Sequence, residues 1–280
     1  MSSLIDLPRR LLYRSPIRTV IEKFGFRPYL SSAYWKVVLT LSGNSVDRTV
    51  AGVNTTFYVS SPYEFTRFND DTFKGEIDVM EHLLNEIKED DVFYDIGANV
   101  GLHACFVANA IPEGDIIAFE PHPRSVAQLR ENIDLNGEDC SVFECALSDS
   151  EGNAVLELPT DLPGAVGNLT DSPDKGTEQV EIDLVCGDNL ISAGQVPAPT
   201  VLKIDVDGGE VNVLRGLSDA LSRESCRRVY CEVHPEALEQ YGATEDELYT
   251  FFENHGFTIE KFDVDHEMRE DAYYVLASKE

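Results

Sequence analysis

Apolar positions are irregular over the first quarter of the chain and periodic beyond it. Ile77, Met80, Leu84 and Ile87 recur at the spacing of a helix with one buried face. The polar run Glu89-Asp90-Asp91 then gives way to Val92-Phe93-Tyr94, a short continuous apolar run that suits a strand buried on both faces. A helix follows from Gly101 toward Ala110, then a strand over 116–119. The next helix opens at Pro123, a first-turn position where a missing N–H costs nothing, and carries Val126, Leu129 and Ile133 on one face. Residues 142–147, 155–158, 180–184, 201–205 and 228–233 read as strands, and 209–221 and 245–254 as helices. Residues 257–262 and 272–277 read as a closing pair of strands. The stretch 159–178 is rich in Gly, Pro, Asp and Thr and reads as a loop or lid. Upstream, 36–41 and 56–60 suggest a hairpin. Strands alternating with helices define an α/β chain with a doubly wound sheet. Such a sheet binds its ligand beyond the carboxyl ends of the strands, where the strand order reverses. The expected division is an N-terminal extension, 1–75, and one domain, 76–280.

Charge changes this picture more than composition does. The apolar fraction, 42% of 280 residues, is ordinary, but Asp and Glu total 51 against 22 Lys and Arg, for a net charge of −29. Self-repulsion on that scale destabilises a compact state unless salt screens it. The balance is that of a protein adapted to a salt-rich cytoplasm, as in a halophile. It also opposes nucleic-acid binding. The first 48 residues run the other way. Arg9, Arg10, Arg14, Arg18, Lys23, Arg27, Lys36 and Arg48 oppose Asp6, Glu22 and Asp47. A basic stretch on an acidic body suggests peripheral docking to a membrane or an acidic partner. No apolar run is long enough to span a bilayer, no signal-peptide core is evident, and the six cysteines form no CxxC pair. A reducing, cytoplasmic setting is expected.

The candidate chemistry sits at the first strand-loop-helix unit, Asp95-Ile96-Gly97-Ala98-Asn99-Val100-Gly101. Its glycines permit a tight turn and close approach of backbone to a ligand. The next strand ends at Phe119-Glu120, placing a carboxylate about twenty residues on, where it can accept from two ribose hydroxyls. A dinucleotide would call for GxGxxG to seat its pyrophosphate. Here the spacing is GxxxG with an acid before it. S-adenosylmethionine (SAM) has no phosphate and carries an ammonium and a sulfonium, so acidic Asp95 and Glu120 favour it. A nicotinamide-dependent oxidoreductase and a non-catalytic protein of the same fold are the competing classes.

Further motifs appear in order: Phe119-Glu120-Pro121, Asn132-Ile133-Asp134-Leu135-Asn136, Ala146-Leu147-Ser148-Asp149, Lys203-Ile204-Asp205-Val206-Asp207-Gly208-Gly209-Glu210 and Glu232-Val233-His234. Together with residues 95–101 they resemble the FkbM-type methyltransferases, a branch of the class I SAM-dependent enzymes. Asp207 stands where that family usually has Glu. The resemblance implies a Rossmann-like, seven-stranded doubly wound sheet. It implies that Asp95, Gly97, Asn99 and Gly101 line the amino-acid end of SAM. Glu120 would hold the ribose, Pro121 and His122 would flank the adenine, and Cys145 and Ala146 would reach its edge. Asp205 would lie near the methyl group, and Glu76 would face the pocket. The activity implied is O-methylation of a sugar, a lipid or a secondary metabolite. A hexuronic acid of a surface glycan is the acceptor expected if the source is a haloarchaeon.

Methyl transfer from a sulfonium is an in-line displacement, so alignment and exclusion of water dominate. A hydroxyl acceptor also needs a base, worth about 10²–10⁴-fold. Asp205, Asp207, Glu232 and His234 are the candidates, all near strand carboxyl ends. Lys203 reads as structural, paired with a nearby acid. Asp205, Asp207 and Glu232 offer oxygen ligands, but carboxylate clusters arise by chance in so acidic a chain, and no metal is assigned.

Overall fold

The computed structural model describes residues 27–61, 64, 65, 68, 74–158, 162, 163, 167–170, 177–262 and 272–280. Of these, 27–47, 57–61, 64, 65 and 68 fall in one compact unit and the rest in a second. Most of the basic stretch expected to dock, residues 1–26, and most of the 159–178 segment lie outside the described residues.

The first unit holds helix α1 (Arg27–Leu41). A hairpin of β1 (Ser45–Val50) and β2 (Val53–Tyr58) follows. The expected hairpin is therefore misplaced: 36–41 is helical. Its short apolar run fits either element, and length alone does not arbitrate. The true turn is Ala51-Gly52, both at positive φ, 47° and 83°. Two such residues match the right-handed twist of paired strands.

The second unit is built on a seven-stranded sheet. Its elements are α2 (Lys74–Glu86), β3 (Val92–Ile96), α3 (Leu102–Ala110), β4 (Asp115–Phe119), α4 (Pro123–Asn136), β5 (Ser141–Phe143), β6 (Ala146–Leu147), β7 (Gly152–Leu158), β8 (Asn168–Thr170) and β9 (Glu178–Val185). There follow α5 (Gly187–Ser192), β10 (Val201–Ile204), α6 (Glu210–Gly216), α7 (Ser218–Leu221), β11 (Arg228–Val233), α8 (Pro235–Gln240), α9 (Glu245–Asn254), β12 (Thr258–Lys261) and β13 (Tyr273–Ser278). The sheet order is β12-β13-β11-β10-β3-β4-β5. All neighbours are parallel except β13, which is antiparallel to β11 and β12. From β3 the chain winds outward through β4 and β5, then returns to β10 on the other side. The order reverses between β3 and β10, so a crevice opens at their carboxyl ends.

The central strands are apolar on both faces because helices cover both. Tyr94, Ile96, Leu202, Ile204, Val229, Cys231 and Val233 share one core with Val211, Leu214 and Leu217 of the α6 segment. Each such fully buried side chain contributes about 1.5–3 kcal/mol.

Residues 142–147 do not form the single strand expected. The chain leaves the large sheet after Phe143 and joins a second sheet, ordered β6-β9-β7-β8, at Ala146. The small sheet docks closely on α6, where a Cβ on Gly216 would meet the Ser148 carbonyl oxygen at 2.1 Å. Among the described residues no helix is long and apolar enough to cross a membrane. All six cysteines are free thiols, four of them buried.

Candidate active site

The loop after β3 alternates its handedness. Gly97, Asn99 and Gly101 have φ of 77°, 53° and 87°, with Ala98 and Val100 between. Glycine enters this region freely, and asparagine does so more readily than most residues. Gly97 also lies against the neighbouring strand end: a Cβ there would sit 1.8 Å from the Asp205 carbonyl oxygen. Gly101 caps α3 with φ 87°, a left-handed conformation that favours glycine, and a Cβ on it would push on the Leu129 side chain of α4. Asn132, fully buried, donates to the Val100 carbonyl at 2.7 Å and pins the loop from behind. Asn136 brackets Thr56, accepting from its N–H at 2.9 Å and donating to its carbonyl at 2.8 Å.

The acids around this loop are set for a cation and a diol. Asp95 is fully buried at the end of β3. Its Oδ2 accepts from the Ala104 N–H at 2.9 Å, in the first turn of α3. Its Oδ1 has no hydrogen-bond partner, and Lys203 Nζ stands 3.9 Å away. Burial pushes the Asp95 carboxyl up, against the pull of Lys203 and the Ala104 N–H. Glu120, just past β4, accepts from the backbone N–H of Asn99 and of His122, each at 2.8 Å. Burial pushes it up to about 7. Asn99 Oδ1 is a second buried acceptor without a partner. Pro121 follows Glu120 half-buried, and His122 is buried at the N-cap of α4. Cys145 and Ala146 form the crossing between the two sheets.

The other half of the crevice comes from β10 and β11. Asp205 hydrogen-bonds back to β3 through its N–H to the Ile96 carbonyl, 3.0 Å. Lys203 Nζ donates to Asp205 Oδ2 at 2.9 Å. Burial opposes the charge on both; the mutual attraction wins, lowering Asp205 and raising Lys203. Lys203 is structural in the sense expected, bridging the cofactor side and the far side. Glu232 ends β11 and is buried. Burial, then the charges of Asp205 and Glu76, push its carboxyl up to about 8. Tyr274 stands opposite it on β13, also buried. His234 Nδ1 lies 2.8 Å from Glu210 Oε1, and its Nε2 lies 3.6 Å from Asp207 Oδ1 and 3.7 Å from Glu232 Oε1. Burial pulls the imidazole down, but the Glu210 hydrogen bond and the surrounding carboxylates push it up to about 9. Asp207 takes a positive φ of 49°, and Gly208 beside it one of 110°.

The structure thus brings Asp95, Gly97, Asn99, Gly101 and Glu120 together at one side of the crevice. Asp205, Glu232 and His234 stand at the other. Three participants carried no role in the sequence reading. Glu210 is fully buried and orients His234. Tyr274 faces Glu232 across the β11–β13 pair. His103, in the first turn of α3, is buried with Nε2 unpartnered, and burial holds its pKa well below the usual histidine value. Glu210 closes the Lys203–Glu210 motif in the sequence, but its position there gives it no role.

A seven-stranded sheet in this order, with a glycine loop and two acids at the switch point, defines a class I methyltransferase. Residues 95–259 match the family described as the methyltransferase FkbM domain, and the chain belongs to that family. Over 185 residues it is 36% identical to the hexuronic acid methyltransferase AglP of Haloferax volcanii, covering 66% of this chain and 72% of that one. It is 30% identical to the 31-O-demethyl-FK506 methyltransferase FkbM of Streptomyces tacrolimicus, covering 62% and 75%. A crystal structure of an FkbM methyltransferase from Methylobacillus flagellatus superposes with a TM-score of 0.47 at 15% identity, over 70% of this chain and 45% of that one.

The protein is a SAM-dependent methyltransferase, and its residues fit that cofactor on their own geometry. The unpartnered Asp95 Oδ1 is a buried acceptor that would suit the SAM ammonium. Glu120, held just past the end of β4 by two backbone N–H groups, would take the ribose hydroxyls. When bound, SAM supplies the electrophilic methyl; the protein supplies position.

Proposed function

We propose that the chain methylates an oxygen of a hexuronic acid in a surface glycan, with Glu232 as the base when that oxygen is a hydroxyl. The similarity to the hexuronic acid methyltransferase carries the choice of acceptor. The strongly acidic composition agrees with a salt-rich cytoplasm. Glu232 is chosen on geometry. Asp205 is held by Lys203 at 2.9 Å, and His234 Nδ1 by Glu210 at 2.8 Å. Glu232 Oε1 stays 3.7 Å from its nearest cation, His234 Nε2, at the carboxyl end of β11. In this reading the basic N-terminal stretch brings the enzyme to lipid-linked sugar at the membrane.

The test uses labelled SAM with glucuronosides and the matching glucosides in molar KCl. Label should enter the glucuronoside, and Glu232→Gln should cut transfer to a hydroxyl by about 10²–10⁴-fold. Mild alkali removes a methyl ester and leaves an ether, so the product locates the oxygen. Label in the glucoside alone, or in neither sugar, sinks the acceptor assignment. An alkali-labile product made equally well by Glu232→Gln sinks the role of Glu232.

A further inference from the structure

We propose that Asp205, Asp207 and His234 bind a divalent cation, and that this ion carries the anionic acceptor into a site of like charge. The ion's role rests on the hexuronate reading above; the site itself does not.

One ligand atom from each of the three residues lies within 4.8 Å of the others. Ligands about 2.0–2.4 Å from a shared ion span such separations. Acid alone would not make a site. The imidazole is the second observation. His234 is only 5% exposed. Its Nε2 lies between two acids, 3.6 Å from Asp207 Oδ1 and 3.7 Å from Glu232 Oε1, a loose ion pair whose place a bound cation would take. Its other nitrogen is held by buried Glu210 at 2.8 Å, the arrangement by which a carboxylate fixes a metal-ligating histidine. Glu210 is itself positioned by the Gly208 N–H at 2.9 Å. Two carboxylates with one imidazole suit a hard-to-borderline ion such as Mn²⁺. In the sequence these acids are indistinguishable from the many others of an acidic chain, so no metal is expected from it.

The ion solves a problem that the acceptor poses. A hexuronate brings a carboxylate to a crevice where Asp205, Asp207, Glu210 and Glu232 outnumber the two bases among them, Lys203 and His234. Like charges brought together disfavour binding. An ion shared between the protein carboxylates and the uronate turns that repulsion into coordination, and it orients a neighbouring hydroxyl toward the methyl group.

The measurement is Mn²⁺ binding by electron paramagnetic resonance in molar KCl, which suppresses loose binding to the acidic surface. Pulsed spectra of the bound ion read ¹⁴N coupling from a ligating imidazole. One ion per chain with ¹⁴N coupling is expected. The coupling should vanish in His234→Gln, and Asp207→Asn should weaken binding at least tenfold. Asp207→Glu, which keeps the ligand type, should stay within tenfold of the parent. Unfolding midpoints confirm that each variant folds; if His234→Gln does not, the Asp207 pair decides. Bound Mn²⁺ without ¹⁴N coupling, or affinity indifferent to Asp207→Asn, overturns the site. If Mn²⁺ binds as expected but uronate transfer is undiminished by its removal, the bridging role is overturned. If Mn²⁺ binds as expected and no uronate is methylated at all, the acceptor reading fails instead.

Discussion

Glu120 holds its carboxylate between two backbone N–H groups, yet burial still lifts it to about 7. Ribose hydroxyls would donate to the ionised form, so SAM bound there would select that form. Below pH 7 each binding event must release a proton. Affinity should fall up to tenfold per pH unit on the acid side and level off above it. Calorimetry from about pH 6 to 8 reads this directly; a flat profile, or the same slope in Glu120→Gln, would remove Glu120 from the ribose site. Stability moves the opposite way. A carboxyl whose folded pKa is raised stabilises the fold while protonated, and that contribution is lost as pH rises through about 7. Asp95 and Glu120 were legible in the sequence because each sits at a strand end beside a diagnostic loop. Glu210, Tyr274 and His103 were not. With 51 acidic residues, sequence cannot say which few are buried. Nor does it show that Glu210 and His234, 24 positions apart, meet at 2.8 Å.

At the scale of elements, the switch point depends on two strand ends that nearly touch. Ile96 and Asp205 share a backbone hydrogen bond, and Gly97 lies flat against the Asp205 carbonyl. Gly97→Ala meets both a positive φ and a 1.8 Å overlap. Left-handed strain and overpacking each cost about 1–3 kcal/mol. The variant should unfold several degrees lower and lose measurable SAM affinity. Thermal unfolding and calorimetry in the same buffer check both, and parental values for the pair would show that the loop relaxes freely. The strands that build this point, β3, β10 and β11, were readable because parallel strands covered on both faces are continuous apolar runs. Residues 142–147 misled because one apolar run serves two sheets, and a change of sheet leaves no mark on hydrophobic pattern. Residues 36–41 misled because six apolar-rich positions suit helix and strand alike.

The whole molecule carries −29. At about 0.1 M salt the screening length is near 10 Å, and at about 1 M near 3 Å. Repulsion among surface carboxylates should therefore fade across that range, raising the unfolding midpoint with added KCl. Scanning unfolding in KCl and in equal ionic strengths of NaCl tests this. A midpoint that does not move between about 0.1 and 2 M would separate the acidity from salt adaptation.

One feature of the sheet bears on how the chain is made. Strand β13 lies between β11 and β12, although it follows both in sequence. During synthesis β11 and β12 emerge with facing edges bare, and they stay bare until residues 273–278 leave the ribosome. An open strand edge is a template for pairing with another chain. The nascent protein thus passes through a window of aggregation risk that its native sheet no longer shows, and Glu232 gains its neighbour Tyr274 only when that window closes.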